Sequence, residues 1–282
     1  MASIGQTWRG LRDRFAATGS PSAALDARLL VRHVLGLDDT QLIAREADPF
    51  PQHNEQELAE LAVRRIEGVP IARLVGTQEF YGLSFALNSE TLVPRPETEM
   101  LVDWAVPFLR ERAAPRLLDL GTGTGCIAIS ILDQVQRAKA IGVDIAAGAV
   151  AQARANAQSL GVADRFAALE GSWFAPVVGE RFDLIVSNPP YIAREVIATL
   201  AIDVKHHDPM AALDGGADGL DPYRLIAMQA RRHLHGGAAV VLEIGYDQGH
   251  IVCELMRTAG FDRVDLHREL AGLDRMVTAR FR

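Results

Sequence analysis

The chain has only two cysteines in 282 residues, Cys126 and Cys253, and no apolar run near the length of about 18 residues that marks a membrane-spanning helix. Two thiols cannot form a disulfide framework, and Cys126 falls in a predicted helix, where a small buried side chain is its expected role. Residues 1–10 lack the basic and then apolar pattern of a secretory leader. These absences disfavour export and membrane insertion, and they predict a reducing, cytoplasmic location.

A surplus of positive charge is missing as well. The chain carries 29 Lys and Arg against 36 Asp and Glu, a net charge of -7, and residues 1–75 carry 9 Arg against 10 acidic residues. Proteins that bind nucleic acid by neutralising its phosphates need the opposite balance. We therefore expect a protein partner, with no direct DNA binding and no membrane binding. An apolar content of 49% is ample for the core of a large domain and a small one.

Two common nucleotide-binding motifs are absent, although a glycine-rich loop is present at residues 119–125. The dinucleotide fingerprint would need glycine where the chain has Cys126, and no Gly-Lys-Ser/Thr of a phosphate-binding P-loop follows. The loop lies between an apolar segment, 116–118, and a helical pattern at 126–132. Alternating glycines allow a sharp turn and a close approach of ligand to the main chain. Taken alone, the loop fits a nucleotide-type ligand and a plain tight turn equally well.

Two further strand ends carry residues suited to a nucleoside. Asp144 ends the next predicted strand, 19 residues after the last glycine of the loop, where a carboxylate can accept both hydroxyls of a ribose. Trp173 follows a third strand at about 165–170 and could supply an aromatic surface for adenine. A helix N-cap for Asp144 and an ordinary core position for Trp173 are the structural alternatives. The order of the strand ends favours one ligand site.

A fourth strand end is the most informative, because residues 182–186 form an apolar run that leads to Asn188-Pro189-Pro190-Tyr191. Asn188 has a carbonyl acceptor, and Pro189 supplies a main-chain carbonyl without an N–H of its own. These two acceptors could hold one NH2 group, while Tyr191 offers a face for a flat group. An isolated Asn-Pro more often just ends a strand, but the neighbouring motifs favour the functional interpretation.

The four strand ends together resemble the class I methyltransferases that use S-adenosylmethionine. Their Asn-Pro-Pro-Tyr tetrapeptide is shared by enzymes that methylate a planar nitrogen: adenine N6 in DNA, guanine N2 in some RNAs and the glutamine side-chain amide in proteins. Further segments separate these groups: residues 70–76 (PIARLVG), 79–83 (EFYGL), 92–99 (LVPRPETE) and 215–220 (GGADGL), with Tyr223-Arg224. With them, nearly the whole chain resembles the protein-(glutamine-N5) methyltransferases of peptide chain release factors, the PrmC/HemK family.

This resemblance implies an α/β fold: a Rossmann-like class I methyltransferase domain with a mostly parallel seven-stranded sheet, plus a small N-terminal helical bundle. It implies methyl transfer from S-adenosylmethionine, without a metal, to a glutamine in the Gly-Gly-Gln loop of class 1 release factors, leaving S-adenosylhomocysteine. A monomer is expected. The implied catalytic residues are Asn188, Pro189 and Tyr191; the implied substrate-binding residues are Asn188, Pro189, Pro190 and Tyr191; the implied cofactor-binding residues are Gly121, Thr122, Gly123, Thr124, Gly125, Asp144, Trp173 and Asn188.

Two other functions stay open at the level of sequence. An N6-adenine DNA methyltransferase or an RNA base methyltransferase would use the same tetrapeptide to hold an exocyclic amine, although the acidic net charge and the additional segments speak against it. A non-catalytic adaptor that binds translation factors on a retained methyltransferase fold is the second, and the intact motif residues disfavour it.

The pattern along the chain predicts three domain segments. Residues 1–75 contain helical patterns at 4–17, 23–35 and 55–66, and we expect a helical substrate-recognition domain, although a stabilising cap is the structural alternative. Leu25, Leu29, Leu30 and Val34 lie at helical spacing and should face one core. Residues 76–93 are expected to form a hairpin or linker, and residues 94–282 the methyltransferase domain. Pro107 predicts a kink or break in the helix at 97–112.

Three remaining features have mainly structural interpretations. His206-His207-Asp208 lacks a second cluster with metal-ligand spacing, so a solvated loop is favoured over a metal site. The loop at 215–219 is expected to be structural. Arg95 is equally compatible with the active site and with an ion pair at the surface.

Overall fold

The computed structural model describes residues 1–199 and 207–281, and the chain divides into two compact units, Met1–Thr77 and Gln78–Arg282. The helices of the first unit are α1 (Ile4–Ala17), α2 (Ala23–Leu35), α3 (Asp39–Ala44), α4 (Glu55–Ile66) and α5 (Ile71–Val75), with a 3-10 turn at Gln52–Asn54. Three of them coincide with the predicted helical patterns. The sequence patterns missed the short helices α3 and α5. The roles predicted for the three domain segments stay predictions.

The core of the first unit is apolar and is crossed by one buried ion pair. Phe15 of α1, Leu30 of α2 and Leu42 of α3 are fully buried in it. Arg65 of α4 donates to the buried carboxylate of Asp26 in α2 at 2.8 Å, which leaves neither charge isolated in the core.

The predicted core face of α2 was wrong at one position. Leu25 is 59% exposed, whereas Leu30 and Val34 are buried and Leu29 is partly buried. The inward face instead begins with the small side chains Ala23 and Ala27, which the search for leucine spacing did not include.

A β-hairpin follows, formed by β1 (Thr77–Phe80) and β2 (Leu83–Ala86). Its two turn residues, Tyr81 and Gly82, both have positive φ, 53° and 73°, as a type I′ turn requires. The hairpin form of the predicted linker is therefore confirmed.

The rest of the second unit is a seven-stranded sheet with helices on both sides. Its strands are β3 (Arg116–Leu120), β4 (Lys139–Asp144), β5 (Phe166–Glu170), β6 (Phe182–Ser187), β7 (Leu234–Glu243), β8 (Arg263–Arg268) and β9 (Asp274–Arg280). The helices are α6 (Glu99–Arg110), α7 (Cys126–Gln134), α8 (Ala147–Ser159), α9 (Arg194–Ile197), α10 (Asp221–Gln229) and α11 (Gly249–Thr258). Short 3-10 turns lie at Pro96–Thr98, Ala175–Val177, Met210–Ala212 and Ala230–His233. Helix α6 runs through Pro107 without the predicted break.

The strand order is β5-β4-β3-β6-β7-β9-β8, with β3 to β7 parallel and β9 antiparallel to both of its neighbours. From β3 the chain builds outward through β4 and β5, and it then returns to the other side of β3 to place β6. The order therefore reverses between β3 and β6, and at such a switch point the outgoing loops separate and leave a crevice. The predicted mostly parallel seven-stranded sheet is confirmed.

Successive residues of each strand face opposite sides of the sheet, and both sides are buried. Leu184 and Val186 of β6 pack in the cluster that includes α6, α7 and α8, whereas Ile185 packs in the cluster that includes α10 and α11. A continuous apolar strand is what a sheet covered on both faces requires. The polar residues of the site are consequently confined to the strand ends.

Candidate active site

The glycine loop and the Asn-Pro-Pro-Tyr turn lie side by side at the switch point. Leu120 and Ser187, the last residues of β3 and β6, are paired in register, and the Ser187 hydroxyl donates to the Leu120 carbonyl at 2.6 Å. A Cβ added to Gly121 would lie 3.9 Å from the Asn188 carbonyl oxygen. The fold thus brings together two motifs that are more than sixty residues apart in the sequence.

A cavity of ≈ 690 Å³ opens at this edge of the sheet, within the size range of small-molecule sites. Predicted site residues in its lining are Gly121, Thr122, Gly123, Thr124, Asp144, Trp173, Asn188 and Pro190. Three others do not line it. Gly125 lies at the start of α7, Pro189 is buried, and Tyr191 is partly buried, where desolvation raises the pKa of its phenol to about 12.

The glycine loop has the backbone shape that its sequence predicts. Gly121, Gly123 and Gly125 all have positive φ, between 55° and 81°. The amides of Gly121 and Thr122 donate to the Val143 carbonyl at 2.8 and 3.0 Å, which ties the loop to β4. A Cβ on Gly123 would meet no atom within 4 Å, so the main chain there faces open space. A ligand can approach it closely.

Asp144 is not the N-cap of α8, because that position belongs to Ala146. Its carboxylate accepts from the Gly123 amide at 2.8 Å and from the Ala146 amide at 3.0 Å. A carboxylate has about four acceptor positions, so capacity remains for ligand hydroxyls. Burial raises the pKa of Asp144, and the hydrogen bonds from the main chain oppose that rise.

A second acidic residue, Asp119, lies beneath the loop. It is fully buried, and burial raises its pKa to about 7, although the Thr122 hydroxyl donates to its Oδ2 atom at 2.8 Å. Within residues 1–199 and 207–281, its Oδ1 atom has no hydrogen-bond partner of good geometry, although the Ala128 amide also acts to lower the pKa. Asp119 is enclosed beneath the loop and does not line the cavity.

Trp173 adopts a backbone conformation that L-residues rarely take, with φ of 50°. It lines the cavity, and it also packs partly against the core cluster that includes α10 and α11. The predicted core position is therefore met in part, and the predicted contact with adenine stays a prediction. Strain of this kind persists only where surrounding structure imposes it, and it is concentrated at functional sites.

A chain of hydrogen bonds through Thr98 and Glu243 holds the Asn188 side chain, and the sequence motifs singled out neither of these residues. Its Nδ2 atom donates to the Thr98 hydroxyl at 3.2 Å, and that hydroxyl donates to Glu243 Oε2 at 2.6 Å. Burial raises the pKa of Glu243 to about 7, against the lowering effects of the Thr98 and Asn188 hydrogen bonds and the Arg275 charge. A usable sequence signal existed, because Glu243 directly follows the apolar run of β7 at its carboxyl end.

The Asn-Pro-Pro-Tyr turn rests on the loop at residues 215–219. A Cβ on Gly215 would lie 2.9 Å from the Pro190 carbonyl oxygen, and one on Gly219 would collide with the Tyr191 carbonyl. Gln248 donates to that same Tyr191 carbonyl at 2.9 Å. These contacts agree with the predicted structural role of the loop, which holds the turn in place.

Arg95 lies at the cavity and forms an ion pair, but the partner is buried and not at the surface as predicted, and a role in the active site stays a prediction. It lines the cavity, and it donates to the buried carboxylate of Asp208 at 2.6 Å. Of the predicted solvated segment, His206 lies outside the described residues. Among the residues that are described, no group of three or more potential ligands could hold a metal, and no helix has both the length and the apolar character to cross a membrane.

Comparisons with known proteins agree with this architecture. Residues 6–76 match the model of the PrmC N-terminal domain, and residues 98–206 match that of the methyltransferase small domain. In fold, the chain is similar to a crystal structure of a methyltransferase from Pyrococcus furiosus, with a TM-score of 0.53 and 17% identity over 79% of this chain and 98% of that one.

Similarity to curated sequences extends over almost the whole chain. A release factor glutamine methyltransferase of Agrobacterium fabrum is 44% identical over 95% of this chain and 94% of its own length. One of Bradyrhizobium diazoefficiens is 43% identical over 99% and 95%. Identity at this level and coverage confirms the resemblance that the motifs indicate: the chain belongs to the family of release factor glutamine methyltransferases, which are S-adenosylmethionine-dependent enzymes.

Proposed function

We propose that this protein transfers a methyl group from S-adenosylmethionine to the side-chain amide nitrogen of the glutamine in the Gly-Gly-Gln loop of class 1 release factors. The observation that carries the proposal is the adjacency of the open glycine loop and Asn188 at one cavity. One motif leaves room for a methyl donor, and the other offers an acceptor for the N–H of an acceptor amide. The substrates named for the relatives support the choice of glutamine.

The residues that surround the cavity suit the donor. The open main chain at Gly123 fits the methionine part, while Asp144 and Trp173 fit the ribose and the adenine. S-adenosylmethionine supplies an electrophilic methyl group on a sulfonium. This assignment needs no metal, and the absence of a metal from the reaction stays a prediction.

The acceptor side must overcome the poor nucleophilicity of an amide, whose nitrogen lone pair is delocalised into its carbonyl. The Asn188 side-chain oxygen accepts one N–H bond and orients the nitrogen toward the methyl group. The second predicted acceptor, the Pro189 carbonyl, does not line the cavity, and its contact with the amide stays a prediction. The Asn188 acceptor also stabilises positive charge as it develops on that nitrogen. As the N–CH3 bond forms and the S–CH3 bond breaks, S-adenosylhomocysteine leaves and the nitrogen becomes strongly acidic. Its proton is therefore released late, to water, and no strong base is required beforehand.

Mass spectrometry of a release factor after incubation with the protein and S-adenosylmethionine tests the proposal. We expect a gain of about 14 Da on the Gly-Gly-Gln glutamine, which is one methyl replacing one hydrogen. A release factor with that glutamine changed to glutamate is the matched control and should gain nothing. Methylation of another residue of the release factor, or no methylation of the wild-type release factor, would refute the substrate assignment.

Replacement of Asn188 tests the role of the turn. Asn188→Ala removes one acceptor and the positioning it provides, so we expect turnover to fall by about 100-fold or more. A variant with near wild-type turnover would remove Asn188 from the mechanism. Parallel assays with DNA and ribosomal RNA as acceptors address the base methyltransferase alternative, and detectable turnover excludes the non-catalytic adaptor.

We also infer that residues 1–75 recognise the release factor. The match of residues 6–76 to the PrmC N-terminal domain supports this role, as does the need to bind a large partner. Hydrogen exchange of the full chain should show slower exchange in α1 to α5 when a release factor is added. Protection confined to residues beyond 77 would contradict the inference. A monomeric state stays a prediction, which light scattering can test.

A further inference from the structure

We propose that Thr98 and Glu243 are positioning residues that determine which end of the Asn188 side-chain amide faces the cavity. The inference rests on the proposed function, because it explains how the site comes to accept an N–H rather than to donate one. Neither residue is required to touch the acceptor amide. Both act through Asn188.

Glu243 determines which groups donate and which accept in this chain of hydrogen bonds. This residue lies at the carboxyl end of β7 and is 2% exposed, and above its pKa of about 7 its carboxylate is ionised and can only accept. Thr98, also 2% exposed, lies 2.6 Å from Oε2, so the single hydroxyl hydrogen of Thr98 must be donated to Glu243. A buried donor or acceptor without a partner is destabilising, which disfavours any other arrangement.

The orientation of the Asn188 side-chain amide follows from that of the Thr98 hydroxyl. Once the Thr98 hydrogen is donated, its oxygen is left as an acceptor, and only the NH2 end of the Asn188 amide can face it, at 3.2 Å. A weaker interaction of the same NH2 group with Glu243 favours the same orientation. The two ends of an asparagine amide are almost equal in shape, so packing alone does not distinguish them. The hydrogen-bond partners do. Asn188 lines the cavity, and its side-chain oxygen is thereby left for the ligand.

The opposite orientation would disable the site. An Asn188 NH2 group directed at the NH2 group of a glutamine would place donor against donor, with no hydrogen bond and no stabilisation of developing positive charge. Selection for an N–H donor therefore depends on Glu243 being an acceptor. The charged or titratable groups that act on Glu243 are Arg275, Glu97, Tyr191, Tyr223 and Cys126.

The pKa of Glu243, raised to about 7 by burial, makes this order sensitive to pH. Below that value the carboxyl group binds a proton and becomes a donor at one oxygen. Thr98 then no longer has to donate to it, and the orientation of the Asn188 amide is less strictly fixed. We expect kcat to fall as pH decreases through about 7. Glu243→Gln should lose this step in the pH profile, because an amide does not titrate in this range.

Kinetics of single and double variants test the proposal. Thr98→Val removes the relay, and Glu243→Gln replaces an acceptor-only carboxylate with an amide that can also donate to Thr98 and so permits the reversed Asn188 amide. Each should lower kcat by about 10- to 100-fold with little change in the affinity for S-adenosylmethionine. Thr98→Ser keeps the hydroxyl and should stay near wild type. Thr278→Val is the matched control, since it removes another buried threonine hydroxyl, one that pairs with His267.

The decisive comparison uses Asn188→Ala as the background. Residues that act through Asn188 should cause no further loss once its amide is gone, whereas a general structural role would lower kcat by the same factor in both backgrounds. Equal losses in the two backgrounds would overturn the proposal, as would wild-type kcat in Thr98→Val.

A measurement without methyl transfer separates this inference from the proposed function. In nitrogen-15 NMR spectra, the side-chain NH2 signals of Asn188, identified by their loss in Asn188→Ala, should shift in Thr98→Val and should titrate near pH 7 unless Glu243 is changed to Gln. Signals that are insensitive to both changes would overturn the inference. A wild-type protein that modified no release factor would refute the proposed function and leave this spectrum to decide the role of Thr98 and Glu243.

Discussion

Two glycine-rich loops at the same edge of the sheet, residues 121–125 and 215–219, have similar sequences and opposite surroundings. In the first, a Cβ on Gly123 would meet nothing within 4 Å. In the second, a Cβ on Gly219 would collide with the Tyr191 carbonyl, although both glycines have positive φ. Glycine in the first loop leaves space that a ligand can occupy. Glycine in the second allows the protein backbone itself to come close.

The acidic residues next to the two loops differ in the same way. Burial raises the pKa of Asp119 to about 7 and raises that of Asp144, beside the first loop. Beside the second, the amide of Gly216 lowers the pKa of Asp214, and the Arg224 hydrogen bond lowers that of Asp218. Carboxylates beside the ligand loop are thus poorly solvated, whereas those beside the supporting loop are paired and stable as anions.

The largest expected effect comes from replacing Gly219 with alanine, which tests whether the second loop needs glycine for its close contact with the backbone. Gly219→Ala combines an unfavourable positive φ with a collision against Tyr191, so we expect the free energy of unfolding to fall by up to about 5 kcal/mol and kcat to fall with it. Urea denaturation measures the first effect. Gly237→Ala is the matched control, with the same φ of +76° and no atom within 4 Å, and it should lose only the conformational part. Equal losses in both variants would mean that the contact with the turn has no effect.

The pH dependence of stability tests the buried carboxyl beside the first loop. A folded pKa of about 7 for Asp119 exceeds its unfolded value near 3.8, so its contribution to stability is complete below pH 4 and is lost as pH rises through 7. Relative to Asp119→Asn, the wild-type free energy of unfolding should decrease by roughly 4 kcal/mol across this window. Denaturation at pH 4 and pH 8 measures the difference. Parallel pH profiles for the two proteins would contradict it.

Replacement of Asp144 should first weaken the binding of S-adenosylmethionine. Asp144→Ala removes a charged acceptor for ribose hydroxyls, which is worth roughly 1.5–3 kcal/mol, so Kd for S-adenosylmethionine should rise about 10- to 100-fold. Titration calorimetry measures it, with Asp218→Ala beside the other loop as a control that should bind normally. Unchanged affinity in Asp144→Ala would place the ribose elsewhere.

The smallest expected effect concerns the open glycine. Gly123→Ala should cost only about 1–2 kcal/mol of stability, because the penalty comes from its φ of +55° and not from a collision. Its methyl group would project into open space at the cavity, so the affinity for S-adenosylmethionine should fall as well. Thermal unfolding with and without ligand separates the two effects. Full ligand stabilisation of the variant would show that the space at Gly123 is not used.

Much of the fold was predictable because its signals are local. The helices α1, α2 and α4 and the apolar strands from β3 to β6 follow from hydrophobic period, whereas the mostly parallel seven-stranded sheet is what the family resemblance implies. The short helices α3 and α5 were missed, because helices of five or six residues contain too few positions to show a period. Leu25 was misplaced because spacing identifies a helical face but not which of two adjacent faces is buried.

The features of the site can likewise be divided into those that local sequence indicates and those that only the tertiary structure shows. Sequence by itself determined the residue types at four strand ends, because a strand followed by glycine, aspartate or Asn-Pro-Pro has a local chemistry that needs no partner to be recognised. Tertiary structure alone decided that Thr98 and Glu243, 145 residues apart, are hydrogen-bonded to each other behind Asn188. It alone decided that Gly123 faces space while Gly219 faces backbone. Such contacts depend on the order of strands in the sheet, and a local pattern carries no information about distant neighbours.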